Sequence, residues 1–436
     1  MDHSQGVTLA AISRIGNIAP RFQTVHGFGS PQRQTDRLAI FFGGPTCWLE
    51  PNFLKITETL PPRRWDIFCR VIDNYGDIGV CWRLARQLQS DYGLSVRLWL
   101  DDLAALRRLW PSTADCAQQI VSGIEVVQWP AAFPAVEPAE VVIEAFACEL
   151  PATYVAAMAR QPARPDWLNL EYLTAEAWVD DCHGMRSIHP QHGLTKTFFF
   201  PGFTEKTGGL LREARLRPER DMFQTNPEDR ANFLASMGVS MAPDTLLISL
   251  FSYENPAIHS LVETWRESPQ PIHCLVPEGR ILTSVGRYFD TTPAIGAKVT
   301  LDQLTLQVIP FMTQDQYDHL LWSCDINFVR GEDSFVRGQW AAKPLVWHIY
   351  PQDEEAHLVK LAAFMARYHQ GLPPMLVQAL EVLWYGWNRG DNCQNAWNLC
   401  MERLSEWQCH SHRWEQTLNS LGDLAAKLVQ FCEKPL

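Results

Sequence analysis

Two short stretches hold residues whose types and spacing could do chemistry. The first is DNYGDIG at 73–79, in which Asp73 and Asp77 stand four apart around Asn74 and Gly76, with Gly79 closing the run. Glycines let a turn bend sharply and leave room for a substrate, and a carboxylate held there is placed to act as a general base. Either aspartate would equally suit the cap of the helix that follows. The second stretch is RGEDSFVRGQ at 330–339. It reads as the end of a buried strand turning into a helix over 335–342. A helix start presents unpartnered N–H groups and roughly half a positive charge, which suits an anion. Asp333 or Ser334 can cap that helix, while Arg330 and Arg337 add full charge for a phosphate. Glu332 in the same turn does not help to bind a diphosphate and is better suited to a hydroxyl-rich group attached to one. A nucleotide-sugar pocket fits this mixture; a plain capped helix with solvated charges fits it equally.

Two further clusters lie nearby in the pattern. Phe311, Gln314 and Tyr317 (PFMTQDQY) end one strand and open a helix, where aromatic rings can hold a planar base and an amide can pair with its edge; such rings also serve as plain core. Tyr253, just past another strand, has the same two readings. Gln352 lies in HIYPQDEEAH, a dense polar set at the strand-to-helix junction after the 330–339 turn.

The elements that must position these residues alternate. Strands at 66–72, 94–100, 124–129, 140–146 and 167–170 are interleaved with helical patterns at 80–92, 101–110 and 153–160. The pattern weakens over 174–226. A second series then places strands at 244–252, 272–276, 304–311, 324–329 and 345–349, with helices between them and a helical remainder from 352 onward. Strand–helix alternation implies parallel sheets covered on both faces, with ligands at the carboxyl ends of the strands. The fold class expected is α/β: two Rossmann-like doubly wound domains facing across a cleft, as in GT-B glycosyltransferases. The divisions expected are a flexible extension at 1–64, an acceptor-side domain at 65–240, a donor-side domain at 241–412, and a terminal helix at 413–436 packing back on the first domain.

Composition narrows the partners. The 436 residues are 46% hydrophobic and 20% charged, enough for two cored domains. A formal net charge of −12 disfavours nucleic acid and suits a cationic partner. Twelve cysteines without a C-x-x-C pair read as reduced thiols, and Cys393, Cys400, Cys409, His410 and His412 match no familiar zinc spacing. No run of 18 apolar residues occurs, so a cytoplasmic protein away from membranes is expected. Asp-x-Asp, which holds a metal in many transferases, is absent, as are P-loop, nucleophile-elbow and dinucleotide fingerprints.

Taken together, VIDNYGDIGVCWRLARQL, FACELP, FPGFTEKTGGLLRE, PFMTQDQYDHLL, RGEDSFVRGQWAAKP and WHIYPQDEEAHLVKL resemble the EarP family of bacterial protein-arginine rhamnosyltransferases, from about Trp65 to the C-terminus. The resemblance implies a GT-B fold and inverting transfer of L-rhamnose from dTDP-β-L-rhamnose to an arginine of translation elongation factor P, with neither cofactor nor metal. It implies Asp77 as general base, with Asp73 beside it, and Glu332 in the sugar site. Asp333 and Ser334 would lie near the diphosphate. Arg330, Tyr253, Phe311, Gln314 and Tyr317 would surround thymidine and phosphate, and Asn74, Gly76 and Gln352 complete the donor set. Tyr317 replaces a Phe expected from relatives, and the residues flanking Tyr253 differ. The rivals are a transferase or epimerase acting on a small or lipid acceptor, and a non-catalytic sensor of nucleotide sugars; the carboxylate at Asp77 favours an enzyme.

Overall fold

Short runs of β-branched and aromatic residues between helical segments build two sheets in this chain. A computed structural model describes residues 63–433, apart from 73, 74, 241 and 292 and the side chain of Asp353. The first sheet contains β1 (Arg64–Cys69), β2 (Ser95–Leu100), β3 (Gln118–Val121), β4 (Ile124–Gln128), β5 (Val141–Ala145), β6 (Asp166–Leu170), β7 (Arg186–Ile188) and β8 (Thr195–Phe199). Their order is β3-β4-β2-β1-β5-β6-β8-β7. All pairings are parallel except the two edge hairpins, β3 with β4 and β7 with β8. The β3–β4 turn is Ser122-Gly123, both at positive φ, the backbone shape a two-residue hairpin requires.

The second sheet contains β9 (Leu246–Leu250), β10 (Ile272–Pro277), β11 (Lys298–Leu301), β12 (Leu304–Ile309), β13 (Ile326–Arg330) and β14 (Leu345–His348), in the order β11-β12-β10-β9-β13-β14. Only the β11–β12 hairpin is antiparallel. The parallel strands β12-β10-β9-β13-β14 are doubly wound, and the direction of winding reverses between β9 and β13. Ligands of such sheets bind at that reversal. Tyr253 follows β9 and the 330–334 turn follows β13, so both stretches sit at the switch point. In the first sheet the corresponding reversal lies between β1 and β5, and the loop to Asp77 leaves β1 there.

The strands buried on both faces are near-continuous apolar runs, as in β5 (VVIEA) and β9 (LLISL). Hydrophobic cores form around each sheet, the second holding Trp265, Trp340, Trp384, Trp387, Trp397 and Trp407. Much of the chain's tryptophan, 17 residues in the sequence, therefore serves packing.

Four expectations change. Arg64 already belongs to β1, and Arg63 pairs with Asp166 at 2.7 Å, so the described fold begins before Trp65; residues 1–62 lie outside the described residues. The weak region carries β7, β8 and the helix Leu216–Thr225, with the helix Pro227–Ser236 just beyond it; β3 and β11, short and half exposed, also escaped the strand pattern. The helix after β13 begins at Asp333, two residues before the expected 335. The amphipathic pattern over 413–433 is two helices, Leu404–Ser420 and Leu424–Glu433, broken at Gly422 with φ 79. Trp407, Trp414 and Leu418 of the former join the second core, while Leu424, Leu428 and Val429 of the latter join the first. Among the described residues no helix is long and apolar enough to cross a membrane.

Candidate active site

The loop leaving β1 leads into the helix Gly76–Tyr92. Asp77 lies in its first turn and is buried. Its Oδ2 accepts from the Ile72 N–H at 2.8 Å, and its Oδ1 accepts from the Tyr172 hydroxyl at 3.2 Å. The N-cap of this helix is Tyr75, with no side-chain capping bond, so the capping alternative does not describe Asp77. Asp73 and Asn74 lie outside the described residues. Two residues beyond Asp77, a Cβ on Gly79 would come within 3.2 Å of Gln314 Nε2 and 3.4 Å of the Asp333 Cβ. A glycine there lets this helix touch the second sheet's turn directly.

On the other side, β13 ends at Arg330. Gly331 then takes φ 68, which only glycine adopts readily, and the helix Asp333–Trp340 begins after Glu332. Ser334 locks the turn: its Oγ accepts from the Arg330 N–H at 3.0 Å and donates to the Arg330 carbonyl. Neither Asp333 nor Ser334 caps the helix, contrary to the sequence expectation; each side chain has another partner. Asp333 Oδ1 meets Arg83 Nε at 2.7 Å, and Oδ2 accepts from Gln314 Nε2 at 3.1 Å. Burial raises the Asp333 carboxyl above the usual carboxylate range, against the pull of Arg83 and Arg337. Glu332 reaches across to the first sheet, where its Oε1 accepts from the Leu173 N–H at 3.0 Å.

Arg330 is positioned by aromatic faces. Its guanidinium carbon lies 4.7 Å from the Phe251 ring centre and 4.6 Å from that of Tyr253. Tyr253 is itself held edge-on by His348 and Tyr350. Burial, then Arg330, lowers the His348 imidazole to about 3, so this ring is neutral and adds no charge.

Arg337 cannot serve a phosphate as the sequence suggested. It is buried, with Nη1 at 2.6 Å from Glu213 and Nε and Nη2 at 2.9 and 2.7 Å from Asp318. Arg83, from the first helix, meets the same Asp318 at 3.0 and 3.1 Å. Burial alone would raise the Glu213 carboxyl, but Arg337 and Arg83 outweigh it and hold that group at about 2. These four side chains form a buried ionic network directly behind Asp333.

A cleft of about 640 Å³ opens in front of these residues. Of the expected set, Gly76, Tyr253, Phe311, Gln314, Tyr317, Arg330, Glu332, Asp333 and Ser334 line it. Inside it Gln314 Oε1 and Arg330 Nε are buried without a hydrogen-bond partner, a cost that a ligand with polar groups would relieve. Gln352 is not part of the lining; it sits in the turn after β14, its N–H donating to His357 Nδ1 at 3.2 Å. Asp77 stands behind the lining, in the turn that carries Gly76. The sequence pointed to no donor-site residue between 77 and 252, yet Leu109 and Phe251 line the cleft, as do Tyr75 and Pro277. Tyr75 tilts against Phe311 across the opening, their ring centres 5.2 Å apart. Tyr172 and Arg83 were also missed: each sits in an otherwise apolar pattern, and only a polar residue at a buried register hinted at them.

With this geometry in view, comparison with known proteins is decisive. The elongation-factor P (EF-P) rhamnosyltransferase EarP family model matches residues 65–433. The chain belongs to the EarP family. A protein-arginine rhamnosyltransferase of Pseudomonas putida is 52% identical over 374 residues, spanning 85% of this chain and 99% of that protein. One from Neisseria meningitidis is 37% identical over 388 residues, spanning 86% and 98%. A solved structure described as the "structural basis for EarP-mediated arginine glycosylation of translation elongation factor EF-P" is 38% identical, with a TM-score of 0.63, and covers 86% of this chain and 100% of that one. This chain is thus an enzyme of the GT-B glycosyltransferase fold, in keeping with its two parallel-rich sheets.

Proposed function

We propose that this enzyme transfers L-rhamnose from dTDP-β-L-rhamnose to an arginine side chain of elongation factor P in the cytoplasm, inverting the anomeric carbon and using no metal. One observation carries the reading: carboxylates from the two sheets, Asp77 and Glu332, are bonded to consecutive residues, Tyr172 and Leu173. They therefore approach each other from the two sheets beside a cleft whose lining includes Glu332 and Arg330. Phe311, Tyr317 and Tyr253 take the thymidine, with Gln314 at the base edge. Arg330 and the start of the helix Asp333–Trp340 take the diphosphate. Glu332 accepts hydroxyls of the sugar.

An arginine guanidinium stays protonated, so it needs a group that aligns it and removes a proton as it attacks. Asp77 does both: a carboxylate pairs with the planar guanidinium by directed hydrogen bonds. A nitrogen–carbon bond forms at the anomeric centre while the carbon–oxygen bond to the diphosphate breaks. The proton passes to Asp77, and the electron pair leaves on the diphosphate, whose charge Arg330 and the helix start stabilise.

The test is mass spectrometry of elongation factor P after incubation with the enzyme and dTDP-rhamnose, with and without EDTA. One deoxyhexose on an arginine is expected in both cases. Asp77→Asn, which keeps shape but cannot accept a proton, is expected to lose about 10²–10⁴ in rate while still binding dTDP. An unmodified factor overturns the activity, and turnover abolished by EDTA and restored by magnesium overturns metal independence. Near-normal turnover by Asp77→Asn overturns the choice of base.

A further inference from the structure

Tyr172 leaves the carboxyl end of β6 and is fixed on three sides. Its ring stacks on Phe146, with centres 4.5 Å apart and planes 19° from parallel. Phe146 is held for this contact in the left-handed region at φ 54, followed by Ala147 at φ 52, and its N–H donates to the Leu170 carbonyl at 2.7 Å. The Tyr172 hydroxyl then reaches Asp77 Oδ1, and the next peptide N–H reaches Glu332 Oε1. A non-glycine pair in the left-handed region is costly enough that surrounding structure must impose it, and such strain gathers at functional sites.

We propose that Tyr172 is a positioning residue for the reaction: its hydroxyl orients Asp77 toward the acceptor nitrogen and favours the ionised carboxylate that must take the proton. The proposal rests on the reading of Asp77 as the base. Stacking fixes the ring direction, so the hydroxyl aims at Oδ1 without an entropic cost at each turnover. Hydrogen bonding to the charged form of an acid stabilises that form. Tyr172 is itself a secure donor, since burial, followed by the charges of Asp77 and Glu332, pushes its phenol well above the usual range. Among the titratable groups that also face this point are Cys69 at the end of β1, whose thiol the Cys81 hydrogen bond and burial hold protonated, and Glu332 across the cleft. Neither of these is a cation, and the Ile72 N–H, 2.8 Å from Oδ2, shares with the Tyr172 hydroxyl the support of the Asp77 charge.

The experiment is the pH dependence of kcat for Tyr172→Phe, at saturating acceptor and donor. The expected result is an acid limb moved up by about one pH unit, with turnover about tenfold below the parent's on that limb, because a hydrogen bond to a charged group is worth roughly one to two such units. Turnover recovers toward the parent's at high pH, and KM for the sugar nucleotide stays within about twofold. Phe146→Leu, which keeps the hydroxyl but removes the stacking face, is expected to show a smaller shift in the same direction, and it carries the test alone if Tyr172→Phe fails to fold. An acid limb that stays in place, with activity lowered equally at every pH, overturns the proposal. Asp77→Asn separates the two failures: if it remains active, the reading of the base has failed; if it is inactive and the limb is unmoved, only the role of Tyr172 has.

Discussion

At the scale of single residues, the carboxylates of the first sheet near Asp77 have surroundings that differ. Glu171, next to Tyr172, is raised to about 7 by burial; Lys196 opposes the shift and Glu144 adds to it. Its hydrogen-bond partner is the buried amide of Asn169. The unfolded value lies near about 4.3, so between there and about 7 the folded state binds the extra proton. Stability is then greatest below the unfolded value and falls as pH rises through about 7. Glu171→Gln mimics the protonated acid. It is expected to raise the melting temperature by about 2–4 °C near pH 8.5 and by much less near pH 5. Calorimetric scans at the two pH values check this, and an equal effect at both would mean that the carboxyl is already ionised at pH 5.

The element that matters most is the strand–turn–helix from β13 into Asp333–Trp340. Its geometry depends on Gly331, on the Ser334 lock and on the bond from Trp347 Nε1 to the Gly331 carbonyl at 2.9 Å. Gly331→Ala forces a Cβ into the left-handed region, at about 1–2 kcal/mol. The turn relieves that strain by moving Glu332 and the first helical N–H groups, so weaker dTDP binding is expected along with the lost stability. Denaturant unfolding and calorimetric titration measure the two. Loss of stability with unchanged affinity would show that the turn does not position the diphosphate. This turn was legible in the sequence because glycine, small polar and charged residues at a strand end have few other uses. The roles of its side chains were not. Arg337 and Asp333 read as site charges, and only the fold reveals that Glu213, Asp318 and Arg83, from distant segments, neutralise them.

For the whole molecule, that network is what joins the two sheets behind the cleft. Arg83 comes from the helix after β1, Asp318 and Arg337 from helices of the second sheet, and Glu213 from the segment between. Replacing Arg83 with Met leaves the buried acids with one cation, and breaking such a pair costs about 3–5 kcal/mol. The deficit is expected to shrink as pH falls. The parent's Glu213 stays ionised down to about 2, and its contribution is lost below the unfolded value near about 4.3, whereas the variant's acids protonate earlier and escape the penalty. Urea unfolding of both proteins at neutral and acid pH tests this; a deficit independent of pH would assign the loss to packing. The two-sheet architecture was readable from alternation alone, because parallel strands buried on both faces produce apolar runs of fixed length. The edge hairpins and the two-part C-terminus were not, since half-exposed strands lose that signature and one glycine is enough to split an amphipathic period.

The bond from the Leu173 N–H to Glu332 has a practical consequence for anyone mapping this cleft. Its donor belongs to the main chain, so every side chain at position 173 except proline supplies it equally. A survey that truncates residues one at a time would register Leu173 only for its apolar bulk and pass over the contact that tethers the Glu332 carboxylate. Exchanging that single amide for an ester, which deletes the N–H and spares the side chain, is the chemical change that would make it visible.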